Sequence, residues 1–199
     1  MALLQRVTGN VDVPERVRLE LSGPVLKNAF QGLIANCDDL GGIERFAQAV
    51  SLKSTLFKDA LAGDKVQSLD LDALMGLCTF MSTVRRRIAP YLNSDGLSRI
   101  KSALAVLLDD ASDTTTTDQR WAAYCEQFPD DRQHRWIRDL GAEVLHGVDP
   151  ERYPLMGRWV WDAGTNSGVI REIWHGDNVD RVTIPVPDKY ETYVVLREE

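Results

Sequence analysis

The spacing of hydrophobic and polar positions changes period several times along the chain. Residues 16–21, Arg-Val-Arg-Leu-Glu-Leu, alternate strictly, which predicts a strand with Val17, Leu19 and Leu21 on one face. From Pro24 the period becomes helical: Val25, Leu26, Ala29, Phe30, Leu33 and Ile34 recur at three- and four-residue intervals, and Gly41-Gly42 stops the run. This predicts an amphipathic helix whose apolar face joins the core. Shorter helices are expected at 43–50, 53–62 and 70–89. Ser68 is the expected N-cap of the last, Asp70 and Asp72 favour its first turn, and Pro90 ends the series. Residues 97–108 are apolar around most of a helical circumference, so that element is expected to be buried.

The acidic, threonine-rich stretch 109–117 has no periodicity and reads as a linker between a helical domain, 24–108, and a mixed domain, 118–199. Beyond it, Thr116 with Gln119 and Asp130 with Gln133 have capping-box spacing. Trp136, Ile137, Leu140 and Val144 then form a helical apolar stripe that should lie in the core. After Pro150, β-branched and aromatic residues alternate with turn formers. Residues 158–162 and 168–174 read as a hairpin, and 181–186 and 190–196 as two further strands. The expected fold class is therefore α+β: an N-terminal helical bundle, then helices and a small antiparallel sheet, which the strand at 16–21 would join. The chain stops within three residues of its last expected strand, as a piece of a longer protein would.

Composition changes this picture little, but charge does. The 199 residues carry a net charge of −7, with a balance ordinary for a globular protein. Residues 1–91 hold 11 Lys/Arg and 10 Asp/Glu, whereas 92–199 hold 12 and 20, so the acidity is all in the second half. An acidic chain is a poor nonspecific coat for nucleic acid, which needs clustered cations. The N-terminal half escapes that objection, and Arg85, Arg86 and Arg87 are its one dense cationic cluster. Cys37, Cys78 and Cys125 are far apart among apolar neighbours and read as small buried hydrophobes. No apolar run is long enough to span a bilayer and the first ten residues turn polar too early for a secretory signal, so a cytoplasmic location is expected, without membrane association.

One local pattern carries a mechanism. Phe46-Ala47, Val50, Leu52, Phe57, Ala60 and Gly63, followed by Leu71-Asp72-Ala73-Leu74-Met75 and Leu77-Cys78, fall at positions where residues 43–81 resemble the helix-turn-helix of Cro and lambda-repressor type proteins. The resemblance implies a turn at Ser51-Leu52 and a recognition helix from Lys53 to Ala62. Lys53, Ser54, Thr55 and Lys58 would then face a DNA groove, with Arg85, Arg86 and Arg87 near a phosphate strand. The sequence departs from the pattern at Ser51, where a turn glycine is usual, and at apolar Leu56.

Other constellations are weaker. Arginine precedes tryptophan at 120–121, 135–136 and 158–159, where the indoles are expected to anchor the core and the arginines to reach solvent or pair with Asp. Asp162, Arg171, Glu172, His175, Asp177 and Asp180 lie in one polar region without metal-ligand spacing. Phosphate-loop, dinucleotide, serine-hydrolase and zinc-protease motifs are absent, so no metal or cofactor is expected and nothing in the chain argues for an enzyme. The leading expectation is a non-enzymatic helical interaction or accessory module acting through a protein partner. The alternative is a helix-turn-helix DNA-binding regulator with an acidic C-terminal partner or sensor domain.

Overall fold

The computed structural model describes residues 16–176 and 179–199. Its helices are α1 (Gly23–Asp39), α2 (Ile43–Leu61), α3 (Lys65–Ser68), α4 (Leu71–Cys78), α5 (Ser82–Arg85), α6 (Ser94–Leu108), α7 (Thr117–Cys125), α8 (Trp136–Val148), α9 (Val169–Glu172) and α10 (Tyr190–Glu198). Short 3₁₀ turns occupy Ala89–Tyr91, Thr114–Thr116 and Val179–Arg181.

Helix α8 is the centre of the fold. Its apolar stripe, Trp136, Ile137, Leu140, Val144 and Leu145, is buried as its spacing predicts, and α2, α5, α6 and α7 all pack against it. Two glycines on α8 let neighbours approach closely: the Phe57 ring of α2 lies against Gly147, and Tyr124 of α7 against Gly141. Helix α6 buries Ile100, Ala103, Leu104 and Leu107, and Asn93 caps it by accepting the Gly96 N–H at 2.8 Å. Residue 70 caps α4 instead of Ser68: the Asp70 carboxylate accepts the Ala73 N–H at 2.8 Å, while the Ser68 hydroxyl donates back to the Lys65 carbonyl. The expected helix 70–89 breaks between α4 and α5. The two capping boxes also fall elsewhere, since Asp113 accepts the Thr115 N–H and Asp131 those of Gln133 and His134.

The expected antiparallel sheet is not there. Among the described residues only two isolated bridges occur, Leu21 with Trp174 and Asp162 with Ser167, so the α+β assignment gives way to a mostly helical fold. Physical reasons can be read at each segment. Gly168, at φ +122°, turns the chain out of the expected hairpin into α9, which buries Ile170. The extended stretch near 182–186 has its backbone groups taken by side chains: the Ile184 N–H goes to Asn166 Oδ1, the Asn166 amide donates to the Val182 carbonyl, and the Trp161 indole to that of Val186. Residues 190–196 thus have no strand to pair with and form α10, where Thr192, Tyr193 and Val195 are buried and Leu196 half-buried at helical spacing. Residues 16–21 meet the second half of the chain without joining a sheet: Leu21 bridges to Trp174, flanking bonds run from Ser22 to Ile173 and from His175 to Glu20, the Val17 N–H donates to Glu191, Arg16 pairs with Glu198, and Val17 and Leu19 pack against the core.

Residues 109–117 are tied into the structure. Arg120, 8% exposed, donates to the carbonyls of Leu107 and Asp113 and, at 2.8 Å, to the Tyr153 hydroxyl. That hydroxyl in turn donates to the Ala111 carbonyl at 2.7 Å. One hydrophobic core, from Phe57 to Tyr193, takes side chains from both sides of this segment.

Candidate functional site

Helix α1 and the first two-thirds of α2 stand outside that core. No residue of α1 and none of 43–56 belongs to it, and α1 buries only Cys37. Gly41 and Gly42, at φ +98° and +95°, reverse the chain between the two helices in a conformation that side chains resist. Of the 15 exposed large apolar residues recorded among the described residues, nine lie between Val25 and Leu56. Phe30 is 63% exposed, Leu40 67% and Phe46 44%. The expectation that the 24–37 stripe completes the core is therefore corrected: the stripe exists, but it faces outward.

The helix-turn-helix geometry does not form. Helix α2 runs unbroken from Ile43 to Leu61 through Ser51-Leu52, because neither residue interrupts helical hydrogen bonding and the apolar stripe of 43, 46, 47 and 50 is continued in phase by 57 and 61. Of the expected groove-facing residues, Lys53 pairs with Glu143 of α8 at 2.6 Å and Ser54 donates to the Gly147 carbonyl at 2.9 Å. Thr55 donates to the Ser51 carbonyl on its own helix and is exposed, as is Lys58. Arg85, Arg86 and Arg87 are exposed at the end of α5. The structure thus turns Lys53 and Ser54 inward and does not gather all seven residues on one accessible face.

The polar region near 162–180 is dispersed. Asp162 is held by Arg158 at 2.9 Å, and burial raises its carboxyl while Arg158, Thr165 and Arg138 lower it further, leaving it below the ordinary range. Arg171 donates to the Asn166 carbonyl, Glu172 and His175 are exposed, and Asp177 lies outside the described residues, as does the Asp180 side chain. Among the described residues no three His, Cys, Asp or Glu side chains converge as a metal site. Burial pushes the Cys78 and Cys125 thiols up to about 11, so both are protonated near neutrality. No helix among the described residues is long and apolar enough to cross a membrane.

The three Arg-Trp pairs divide in a way that sequence did not reveal. Arg135 is exposed beside buried Trp136, as expected. Arg120 is buried while Trp121 is half-buried, and Trp159 is 55% exposed beside a half-buried Arg158. No family model matches the chain, and neither a curated protein nor a solved structure matches it.

Proposed function

We propose that the protein is an interaction module whose α1–α2 arm docks on a protein partner, and that a second copy of the chain is the partner this arm fits. The exposed apolar surface between Val25 and Leu56 carries the reading. At 39–67% exposure its nine large side chains sum to on the order of 800 Å² over more than one helix face, so the part on one face supplies a substantial share of the roughly 800 Å² that one partner contributes to a standard protein interface. Ile43, Phe46 and Val50 share one face of α2, and α1 adds Val25, Phe30 and Leu33, so the exposed apolar side chains are concentrated on one pair of helices.

Charge selects the occupant. Residues 23–61 hold four cations, Lys27, Arg45, Lys53 and Lys58, and four anions, Asp38, Asp39, Glu44 and Asp59. A neutral arm with both signs is self-complementary, and it lacks the excess of cations that nucleic acid or an anionic lipid surface requires. Two arms packed face to face would bury their apolar stripes in a four-helix arrangement. Sedimentation velocity on the full chain tests this. The parent should sediment as a dimer of the 22.3 kDa chain, and Phe30→Glu with Phe46→Glu should be monomeric with unchanged circular dichroism. A parent that stays monomeric through the micromolar range overturns the reading.

A further inference from the structure

We propose that a cavity rimmed by five arginines beside α5 and the start of α8 is a binding site for a small anion carrying a di- or triphosphate group. Arg86 and Arg87 approach from the end of α5, Arg132 and Arg135 from the turns before α8, and Arg158 from the segment after it. The space they enclose is about 650 Å³. That lies within the roughly 300 to 1,000 Å³ of small-molecule sites and leaves room for more than a single phosphate.

Three observations point to an anion. The first is charge: among the lining residues the only carboxylate is Asp139, so the site carries a formal +4 in a chain of net −7. Glu126, Asp130, Asp131 and Asp162 lie in the adjoining cleft with Arg138, and that cleft shares Arg135 and Arg158 with this one. Like charges gathered this closely repel one another unless a counter-charge sits between them. The second is unused hydrogen-bonding capacity. The guanidinium groups of Arg87, Arg132 and Arg135 make no hydrogen bond or ion pair with any described residue, and those of Arg86 and Arg158 are hydrogen-bonded only through Nε, to the Ser82 carbonyl and to Asp162. Guanidinium forks match phosphate oxygens two at a time.

The third is independent of charge. Trp136 lines the cavity and is 1% exposed, yet its indole N–H is the one buried side-chain polar atom among the described residues with no hydrogen-bond partner. Buried donors are almost always satisfied, so the unmet N–H of a residue in the wall of an arginine-rimmed cavity is one more donor that an acceptor bound there, after a small shift of the indole, would satisfy. The cavity stands apart from the α1–α2 arm, and the proposal does not depend on the arm's role.

Isothermal titration of the full chain at low salt provides the test, with sodium tripolyphosphate, a nucleoside triphosphate, sulfate and a single-stranded oligonucleotide as probes. Both triphosphates should bind in the micromolar range, sulfate at least roughly tenfold more weakly, and affinity should fall with salt. Equal affinity for the two triphosphates identifies the phosphate chain alone as the ligand; a tighter nucleoside triphosphate places its base or sugar in the remaining volume. Arg132→Ala with Arg135→Ala, both exposed in the parent, should weaken binding by roughly 30-fold or more. Trp136→Phe, which keeps an aromatic ring and removes only the N–H donor, should weaken it by roughly tenfold while the fold is retained. Absence of binding by either triphosphate, equal binding by the parent and the double arginine variant, or binding of the oligonucleotide alone overturns the proposal.

Discussion

The ring of Phe57 lies directly on Gly147: a Cβ placed on that glycine would stand 2.2 Å from Cδ1 of the ring. This contact is where the projecting α2 enters the core, and Phe57 is fully buried there. Gly147→Ala should therefore destabilise the protein by about 1–3 kcal/mol, because neither the ring nor α8 has space to yield. Gly76 of α4 is the control. Nothing lies within 4 Å of a Cβ there, so Gly76→Ala should raise stability by about 0.5–1 kcal/mol. Urea midpoints of the two variants should move in opposite directions, and a neutral Gly147→Ala would mean that α2 and α8 are less closely packed than described.

Arg120 and Tyr153 form a second fulcrum. Tyr153→Phe removes the hydroxyl that accepts from Arg120 and donates to the Ala111 carbonyl, leaving a buried charged donor short of a partner. The expected cost is about 1–3 kcal/mol. Arg120→Ala should cost more, since it also frees the Leu107 and Asp113 carbonyls. Equilibrium denaturation followed by tryptophan fluorescence measures both, and hydrogen exchange at 109–117 should accelerate in each variant. Unchanged exchange there would show that the segment is ordered by something other than this network.

Neighbouring residues 135 and 136 should respond very differently to truncation. Trp136→Ala removes a side chain that is only 1% exposed and should cost about 3–5 kcal/mol, a large part of an ordinary domain's stability. Arg135→Ala alters an exposed side chain without a described partner and should stay within about 0.5 kcal/mol of the parent. Thermal midpoints compared side by side check the pair.

Two thiols should make stability fall at alkaline pH. Burial holds Cys78 and Cys125 protonated up to about 11, against an ordinary value of 9.0. The folded state thus binds protons that the unfolded chain releases earlier. The stabilisation is fully present below pH 9.0 and is lost as pH rises through about 11. At pH 8 the thiolate fraction of each is on the order of 0.1%. Ellman's reagent should therefore modify Cys78 and Cys125 slowly in the native protein and rapidly after denaturation, and Cys78→Ala should flatten the decline of the thermal midpoint between pH 9 and 11. Fast native labelling of Cys125 would contradict its half-buried placement against α8.

Local pattern alone determined the helices with an uninterrupted apolar stripe. The stripes of α1, α6 and α8 follow from 3.6-residue spacing, and the buried face of α8 follows residue by residue from Trp136, Ile137, Leu140 and Val144. What the spacing could not say is whether a stripe meets the core. Helix α1 also has an apolar stripe, weaker than that of α8, and most of it is exposed, because burial depends on which elements the rest of the chain brings alongside. The same reason explains the missing sheet. Tyr190 to Leu196 satisfies strand and helix patterns alike, and tertiary structure decided for helix by leaving no free edge nearby. Ser51-Leu52 fits a turn by resemblance, but an apolar stripe in phase on both sides made one helix of two. Arg85 to Arg87 were visible in the sequence as a cationic cluster. The convergence of Arg86 and Arg87 with Arg132, Arg135 and Arg158 was not, because the latter three lie 45 to 72 positions further along the chain and only the packing of α5 against α8 puts these five residues around one cavity.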